Sequence, residues 1–447
     1  MNDNNTTNLT EGAILKPLLI LFLPIALGIF FQQLYNTCDA IIVGRYVGKE
    51  ALAAVGGPTS SIVNLLVGFF SGISSGAAVL ISHLYGAENN EGITKALHTA
   101  IALAIAAGIA LTVFLLIFAK SILRLMGTPE DIMGYSVQYL AIYSIGMVPA
   151  LIYNMSSAIL RAIGDTKHPL YYLIATCFIN VILDLIFIVG LKMEVIGAAL
   201  ATLISQTASA IIVLAFLHKS TTPCHFTPKK LGFTGVMLRK IIYIGIPAGL
   251  QSVMYSLSNI VVQSSINYFG TDTIAAWAAY GKIDAFFWLT VNSLGVATMT
   301  FVAQNYGAGN KERIFKCVKI SLILIILIPA VLGTLMLIFG RPLFGVFNSD
   351  TAVIAIGISM MQIMIPFYIT YVPIEAFSAA MRGVGNAIAP TVLTCFGVCI
   401  LRIVWLVCAV PFHHTLNMVI ACYPITWITT CLLFVIYYLS GKWIDMP

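Results

Sequence analysis

Two aspartates, Asp39 and Asp184, lie in long apolar runs that hold no lysine or arginine. A lone charge at the middle of a bilayer costs about 2.5–3.5 kcal/mol on insertion scales, so such residues are retained for a purpose. Asn180 precedes Asp184 by four residues and shares its helix face. With Thr202 in the next run, these residues offer a set of oxygen ligands that suits a hard monovalent cation. A sodium ion held at Asp39 and Asp184 is one reading. A proton is the other, because burial favours the neutral acid. An aspartate held by neighbouring hydroxyls and amides, keeping helices in register, is the bland alternative.

The later part of the chain carries a different constellation. Gln251, Tyr255, Asn259 and Gln263 recur every four residues, a polar stripe on one helix. Asp284, Trp288 and Asn292 share one face of the next run, and Tyr368, Tyr371 and Glu375 share a face of another. Acid beside aromatic rings attracts an organic cation through charge and cation–π contact. Gln251, Tyr255, Asn259, Asp284, Trp288, Tyr371 and Glu375 are therefore the expected substrate-cavity residues, with Gln33, Asn36 and Asn154 from the first half. Interhelical hydrogen bonding is the plainer use of the same residues. The buried charges Lys282, Asp284, Glu375 and Arg402 sum to zero, and Lys282 is expected to neutralise a carboxylate such as Glu375.

These residues need long apolar elements to carry them. Of 447 residues, 60% are hydrophobic and only 9% charged, and the mean hydropathy is +0.97. Those figures exclude disorder and nucleic-acid binding, and they mark a polytopic membrane protein. Twelve runs are long enough to cross about 30 Å of hydrocarbon as helices. They fall near 17–43, 52–81, 96–118, 133–160, 169–190, 195–217, 241–267, 273–303, 317–338, 353–380, 388–410 and 415–439. With the N-terminus inside, fifteen of the 23 basic residues are cytoplasmic and six external. That bias predicts a multi-pass protein of the cytoplasmic membrane with both termini cytoplasmic. The nine cysteines form no CxxC pair, and most lie inside apolar runs as small core residues.

The chain is also written twice. YGAENNEGITK (85–95) matches YGAGNKERIFK (306–316) at seven of eleven positions, and RAIGDTKHP (161–169) matches RGVGNAIAP (382–390), both at an offset of 221. Six spans per repeat make the repeats parallel. The expected organisation is a six-helix lobe over 1–217, a basic cytoplasmic linker over 218–240 and a second lobe over 241–447, facing one another across a central cavity. Gly164 and Gly385 are expected to end helices in the left-handed conformation, with a gating contact as the alternative role for these corners. Neither Asp39 nor Asp184 has an acidic counterpart in the second repeat, so fold symmetry alone does not call for them. Pro24 and Pro247 each interrupt the hydrogen bonding of a span, and Pro24 is the expected hinge of the helix that carries Asp39.

Pro24, followed after eight residues by QLYNTCDAIIVG (33–44), then ALAAV (51–55) and the doubled RxxG[D/N] corners, resembles the multidrug and toxic compound extrusion (MATE) family of secondary transporters. The resemblance covers nearly the whole chain. It implies an all-α polytopic fold of twelve helices in two pseudo-symmetric lobes, and export of organic cations or amphipathic drugs in exchange for sodium ions or protons by alternating access. Asp39, Asn180, Asp184 and Thr202 fall on that family's first-lobe cation site. The sequence departs from the branch that places a glutamate on helix seven. No cofactor beyond the coupling ion, no enzymatic activity and no nucleic-acid partner is expected; the partners are small organic cations and the bilayer, and the chain is expected to be a monomer. A lipid-linked saccharide flippase of the same wider superfamily is the alternative, and a membrane-embedded transferase a remote one. The absence of a GxxxxGK[S/T] loop speaks against an ATP-driven pump.

Overall fold

The computed structural model describes residues 9–348, 350–413 and 415–444. The terminal residues 1–8 and 445–447, for which a cytoplasmic position is expected, lie outside the described residues. Among those described, eleven helices are long and apolar enough to span a bilayer, and one bent pair completes twelve. They are α1 (Leu15–Tyr46), α2 (Lys49–Gly86), α3 (Asn90–Leu125), α4 (Glu130–Ile145 with Met147–Ala162), α5 (Lys167–Gly190), α6 (Glu194–Lys219), α7 (Gly235–Asn267), α8 (Thr271–Gly307), α9 (Lys311–Ile338), α10 (Thr351–Gly383), α11 (Ile388–Phe412) and α12 (Leu416–Leu439). The chain is an all-α polytopic membrane protein.

The two halves of α4 meet at 50° around Gly146. Pro149 follows in the second half, and having no N–H it leaves the Ile145 carbonyl without a helical donor. The first eight residues of α2 are set off by a break at Gly57, where Pro58 opens the longer part. Large apolar side chains stand exposed along α3, among them Val113, Leu116 and Ile117. In a helix this long such a face is met by lipid rather than water.

The chain divides into two compact units. Unit 1 contains Leu23–Ile246, and unit 2 contains Leu9–Phe22 together with the chain from Pro247 onward. The division therefore crosses α1 just before Pro24 and α7 at Pro247, rather than falling once in the linker. The core of unit 1 gathers Ile81 of α2, Ile93 and Leu97 of α3, Leu151 and Ile159 of α4, and Val213 of α6. The core of unit 2 gathers Phe287, Leu294 and Phe301 of α8 with Trp427 of α12, and Leu18 and Leu21 of α1 pack into it. Arg313 ties that first segment down, donating to the carbonyl oxygens of Gly12 at 2.7 Å and Leu9 at 3.0 Å.

The repeated motifs turn out to be helix-end chemistry, the same in both units. Asn89 accepts a hydrogen bond from the Gly92 N–H, and Asn310 accepts one from the Arg313 N–H, each capping the helix that follows. Lys95 pairs with Glu91 and Lys316 with Glu312, one turn apart. In the RxxG[D/N] corners Gly164 has φ +86° and Gly385 φ +93°, the left-handed ends the sequence calls for. Asp165 and Asn386 then cap the next helix, accepting from the N–H groups of His168 and Ala389.

One position breaks the symmetry. Glu88 adopts φ +55° where the second repeat has Gly309 at +72°. A side chain in the left-handed region costs about 1–2 kcal/mol. Glu88→Gly is expected to raise the melting temperature in detergent and Gly309→Glu to lower it; no change in either would refute a conformational cost at this turn.

Candidate functional site

In unit 1, α1, the two parts of α2, α4, α5 and α6 enclose a cavity of about 320 Å³. Asp39, Asn180 and Thr202 stand on its wall. Asp184 is completely buried behind that wall, within reach of the Asp39 carboxyl group. The four residues that the sequence singles out thus come together from three helices. Asn180 and Asp184 project from one face of α5, Thr202 from α6, and Asp39 from the C-terminal half of α1.

What distinguishes this cluster is its unmet hydrogen bonding. Oδ1 of Asp39, both carboxylate oxygens of Asp184, both amide atoms of Asn180 and the Thr202 hydroxyl are buried without a hydrogen-bond partner. Buried polar groups are ordinarily paired, because an unpaired one forfeits its hydration. Among the described residues no lysine or arginine forms an ion pair with either carboxylate. Two acids facing one another without a base are stable only if a proton or a cation joins them. The available oxygens come from carboxylate, amide and hydroxyl groups, which match a hard cation. Directly after Asp184 the helix widens into a π turn over Leu185–Gly190, a distortion often found at functional positions.

Asn36 and Asn154 also line the cavity, whereas Gln33 is exposed and its neighbour Gln32 takes the place on the wall. Polar lining residues that the sequence reading did not single out include Tyr35, Tyr139, Tyr143 and Gln206. Tyr139 and Tyr143 stack at 5.8 Å, and Gln206 donates to the Tyr143 hydroxyl at 3.4 Å. Spacing could have found them. Tyr35 is one turn before Asp39, Gln206 one turn after Thr202, and the two tyrosines are one turn apart on α4.

Unit 2 disposes its acids differently from expectation. Both oxygens of Asp284 are engaged: Trp288 Nε1 donates to Oδ2 at 2.6 Å, and the Tyr368 hydroxyl donates to Oδ1. Tyr280 continues the chain with a 2.6 Å contact between its hydroxyl and that of Tyr368. Tyr371 packs edge-on to Trp288, and its hydroxyl is 3.4 Å from that of Tyr255. Lys282 does not neutralise Glu375. Its side chain is exposed, while Glu375 is paired with Arg382 at 2.9 Å. Arg382 lies two turns further along α10, and its long side chain reaches back to the acid. Gly295 of α8 leaves the space that Glu375 fills. Gln251 is buried with its Oε1 unpaired, and Asn259 is exposed and accepts a hydrogen bond from Arg402 Nη1 at 3.1 Å.

The Glu375–Arg382 pair has a stability consequence. Its side chains are 13% and 18% exposed. Removing one partner of a buried pair costs about 3–5 kcal/mol, while replacing both by neutral groups costs far less. Glu375→Gln and Arg382→Gln are each expected to melt well below wild type in detergent, and the double variant above either single one. A double variant less stable than both singles would contradict the pairing.

The MatE family model matches residues 24–186 and again 247–407, once in each repeat. The probable multidrug resistance protein YoeA of Bacillus subtilis is 29% identical over 400 residues, covering 88% of this chain and 86% of that one. YpnP, a second probable multidrug resistance protein of the same organism, is 25% identical over 394 residues, covering 88% of each chain. Among solved structures, a transporter of the MOP superfamily from Pyrococcus furiosus aligns over 99% of this chain and all of its own, with a TM-score of 0.90 at 22% identity. Two family matches covering most of the chain, on a twelve-helix fold written twice, leave one assignment: the chain belongs to the MatE family of membrane transporters.

Proposed function

We propose that the chain exports small organic cations and amphipathic drugs across the cytoplasmic membrane by alternating access, in exchange for a cation bound at Asp39, Asn180, Asp184 and Thr202. That it is a transporter and not an enzyme follows from its family. The coupling ion and the cargo are the proposal. The observation that carries it is the cluster of unpaired buried oxygens around two acids with no base. The names of the Bacillus relatives, both multidrug resistance proteins, agree with the choice of cargo.

The residues act without bond chemistry. Asp39 and Asp184 repel one another when both are charged, and a sodium ion or a proton between them removes that repulsion. Asn180 and Thr202 complete the oxygen shell of a metal ion, and a proton needs neither of them. Asn36, Asn154 and the tyrosines offer an amphipathic wall on which a flat cation can stack. Since Asp39 rides on α1, filling or emptying the site changes the forces on that helix. Pro24 is where the helix can respond, because the ring removes one backbone hydrogen bond from an otherwise continuous segment. The chain acts as a monomer, and the distribution of its basic residues favours both termini on the cytoplasmic side.

The test is purified protein in liposomes with a sodium gradient and a pH gradient imposed separately. Gradient-driven export of ethidium is expected, reduced at least about tenfold by Asp39→Asn and by Asp184→Asn, since each removes one charge from the pair. Variants that export like wild type would place the coupling site elsewhere, and export without any gradient would favour a channel or scramblase. Loss of activity in Thr202→Val under the sodium gradient alone, with the pH gradient still effective, would identify a metal ion that needs the hydroxyl.

A second measurement addresses the hinge. Pro24→Ala restores the missing N–H and is expected to uncouple dye export from the gradient while dye binding in detergent persists. Unchanged coupling would remove Pro24 from the mechanism.

A further inference from the structure

Two buried charges in unit 2 have no ion-pair partner, Asp284 and Arg402, and only the acid has its hydrogen-bonding capacity filled. Asp284 has both oxygens held by Tyr368 and Trp288, and Glu375 has Arg382. Arg402 on α11 is only 2% exposed, yet among the described residues no carboxylate forms an ion pair with it. Its guanidinium lies over the ring of Tyr423 at 4.2 Å and gives one hydrogen bond, from Nη1 to Asn259. Nε is buried without a partner. A guanidinium has five N–H donors in a planar fork that fits a carboxylate or phosphate, so one amide acceptor leaves most of its capacity unused.

Three features around Arg402 indicate a ligand position. Asn259 is exposed, so the group that holds the guanidinium is itself accessible. Along the same face of α7 come Tyr255 and Gln251, whose Oε1 is another buried polar atom without a partner. A π turn over Cys395–Ile400 ends immediately before Leu401 and Arg402, as another begins immediately after Asp184. In the repeat alignment Arg402 falls at Val181, next to Asn180. The stretch of α11 that corresponds to the acid-bearing stretch of α5 therefore carries a base.

We propose that unit 2 binds an anionic group, a carboxylate or a phosphate, carried by the transported molecule, with Arg402 as the residue that receives it and Asn259 as the group that orients Arg402. The proposal rests on the transporter reading above and adds to its cargo a preference for molecules that pair a positive or aromatic body with an acid. The neutral amides of α7 add hydrogen bonds without opposing the negative charge.

A matched pair of dyes tests this on the full-length protein in detergent. Rhodamine 110 carries a free carboxylate, and rhodamine 123 is its methyl ester. Fluorescence polarisation is expected to give about a tenfold tighter dissociation constant for the acid, in line with one charge-assisted contact. Arg402→Gln is expected to bring the ratio of acid to ester close to one, and Arg402→Lys to restore part of the preference. Melting temperatures separate this from a folding defect, and Arg402→Lys keeps the test open if the glutamine variant is unstable. A wild type with no preference for the acid overturns the proposal. So does an Arg402→Gln protein that keeps the preference or loses both dyes in proportion. Displacement of the acid by chloride in place of gluconate would assign the guanidinium to a resident inorganic anion and overturn its assignment to cargo. Ethidium export in the liposome assay stands apart: if it fails, the coupled-export reading fails; if it holds while the dye ratio is flat, only Arg402 is misassigned.

Discussion

Two carboxyl groups meet inside an apolar helix bundle with no base to balance them. Each carries an insertion cost of about 2.5–3.5 kcal/mol at mid-membrane, and mutual repulsion adds to it when both are ionised. Asp184 is completely buried and Asp39 nearly so. Nothing in the fold demands this arrangement, because the second repeat builds equivalent helices with Trp405 and a valine at the corresponding positions. On the reading proposed above, α1, α5 and α6 surround the pair so as to supply oxygens to a cation. Asn180 and Thr202 beside the pair are short and uncharged, with buried polar atoms that have no hydrogen-bond partner.

The helices themselves were legible in the sequence because membrane burial acts on long runs. Twenty consecutive apolar residues are a signal that no local detail can hide, and all twelve spans lie where hydropathy sets them, with ends extended by amphipathic turns such as Asn90–Lys95. Asp39 and Asp184 were legible for the same reason: a charge in such a run is conspicuous. The pairing of charges was not. Arg382 sits in a corner motif at a helix end, where its role looks local, yet its side chain spans two turns of α10 to reach Glu375. Lys282, about three turns from the nearer end of α8, looked like the natural partner and is exposed instead. Side-chain reach and orientation are set by packing, which spacing along one helix cannot express.

Aromatic residues mark the second limit. Tyr368 and Trp288 take up the hydrogen-bonding capacity of Asp284, and Tyr280 backs the Tyr368 hydroxyl from a different helix, 88 residues away. Read along α8 alone, Asp284 and Trp288 form an acid beside a ring, the pattern of a cation site. Read across α8 and α10, the acid is a fixed acceptor inside an aromatic cluster with Phe287 and Trp427. The same ambiguity applies to the tyrosines of unit 1, whose hydroxyls reach the cavity only because α4 presents Tyr139 and Tyr143 on the face turned towards α6.

Comparing the repeats separates what folds the chain from what it is for. Caps, turns and ion pairs recur almost atom for atom: Asn89 with Asn310, Glu91–Lys95 with Glu312–Lys316, Gly164 with Gly385. Those features terminate and start helices, and either unit would need them. Inside the membrane the repeats diverge, with two acids on one side of the alignment and Arg402 on the other. Duplication made two scaffolds of one kind, and in this aligned stretch buried charges of opposite sign make them unlike. A ligand that binds only the folded form stabilises it, so on the proposed readings each cluster would offset its own insertion cost when filled. An empty cluster would then be the less stable state of its unit, and that difference would let an ion or a cargo molecule bias how the helices around it are held.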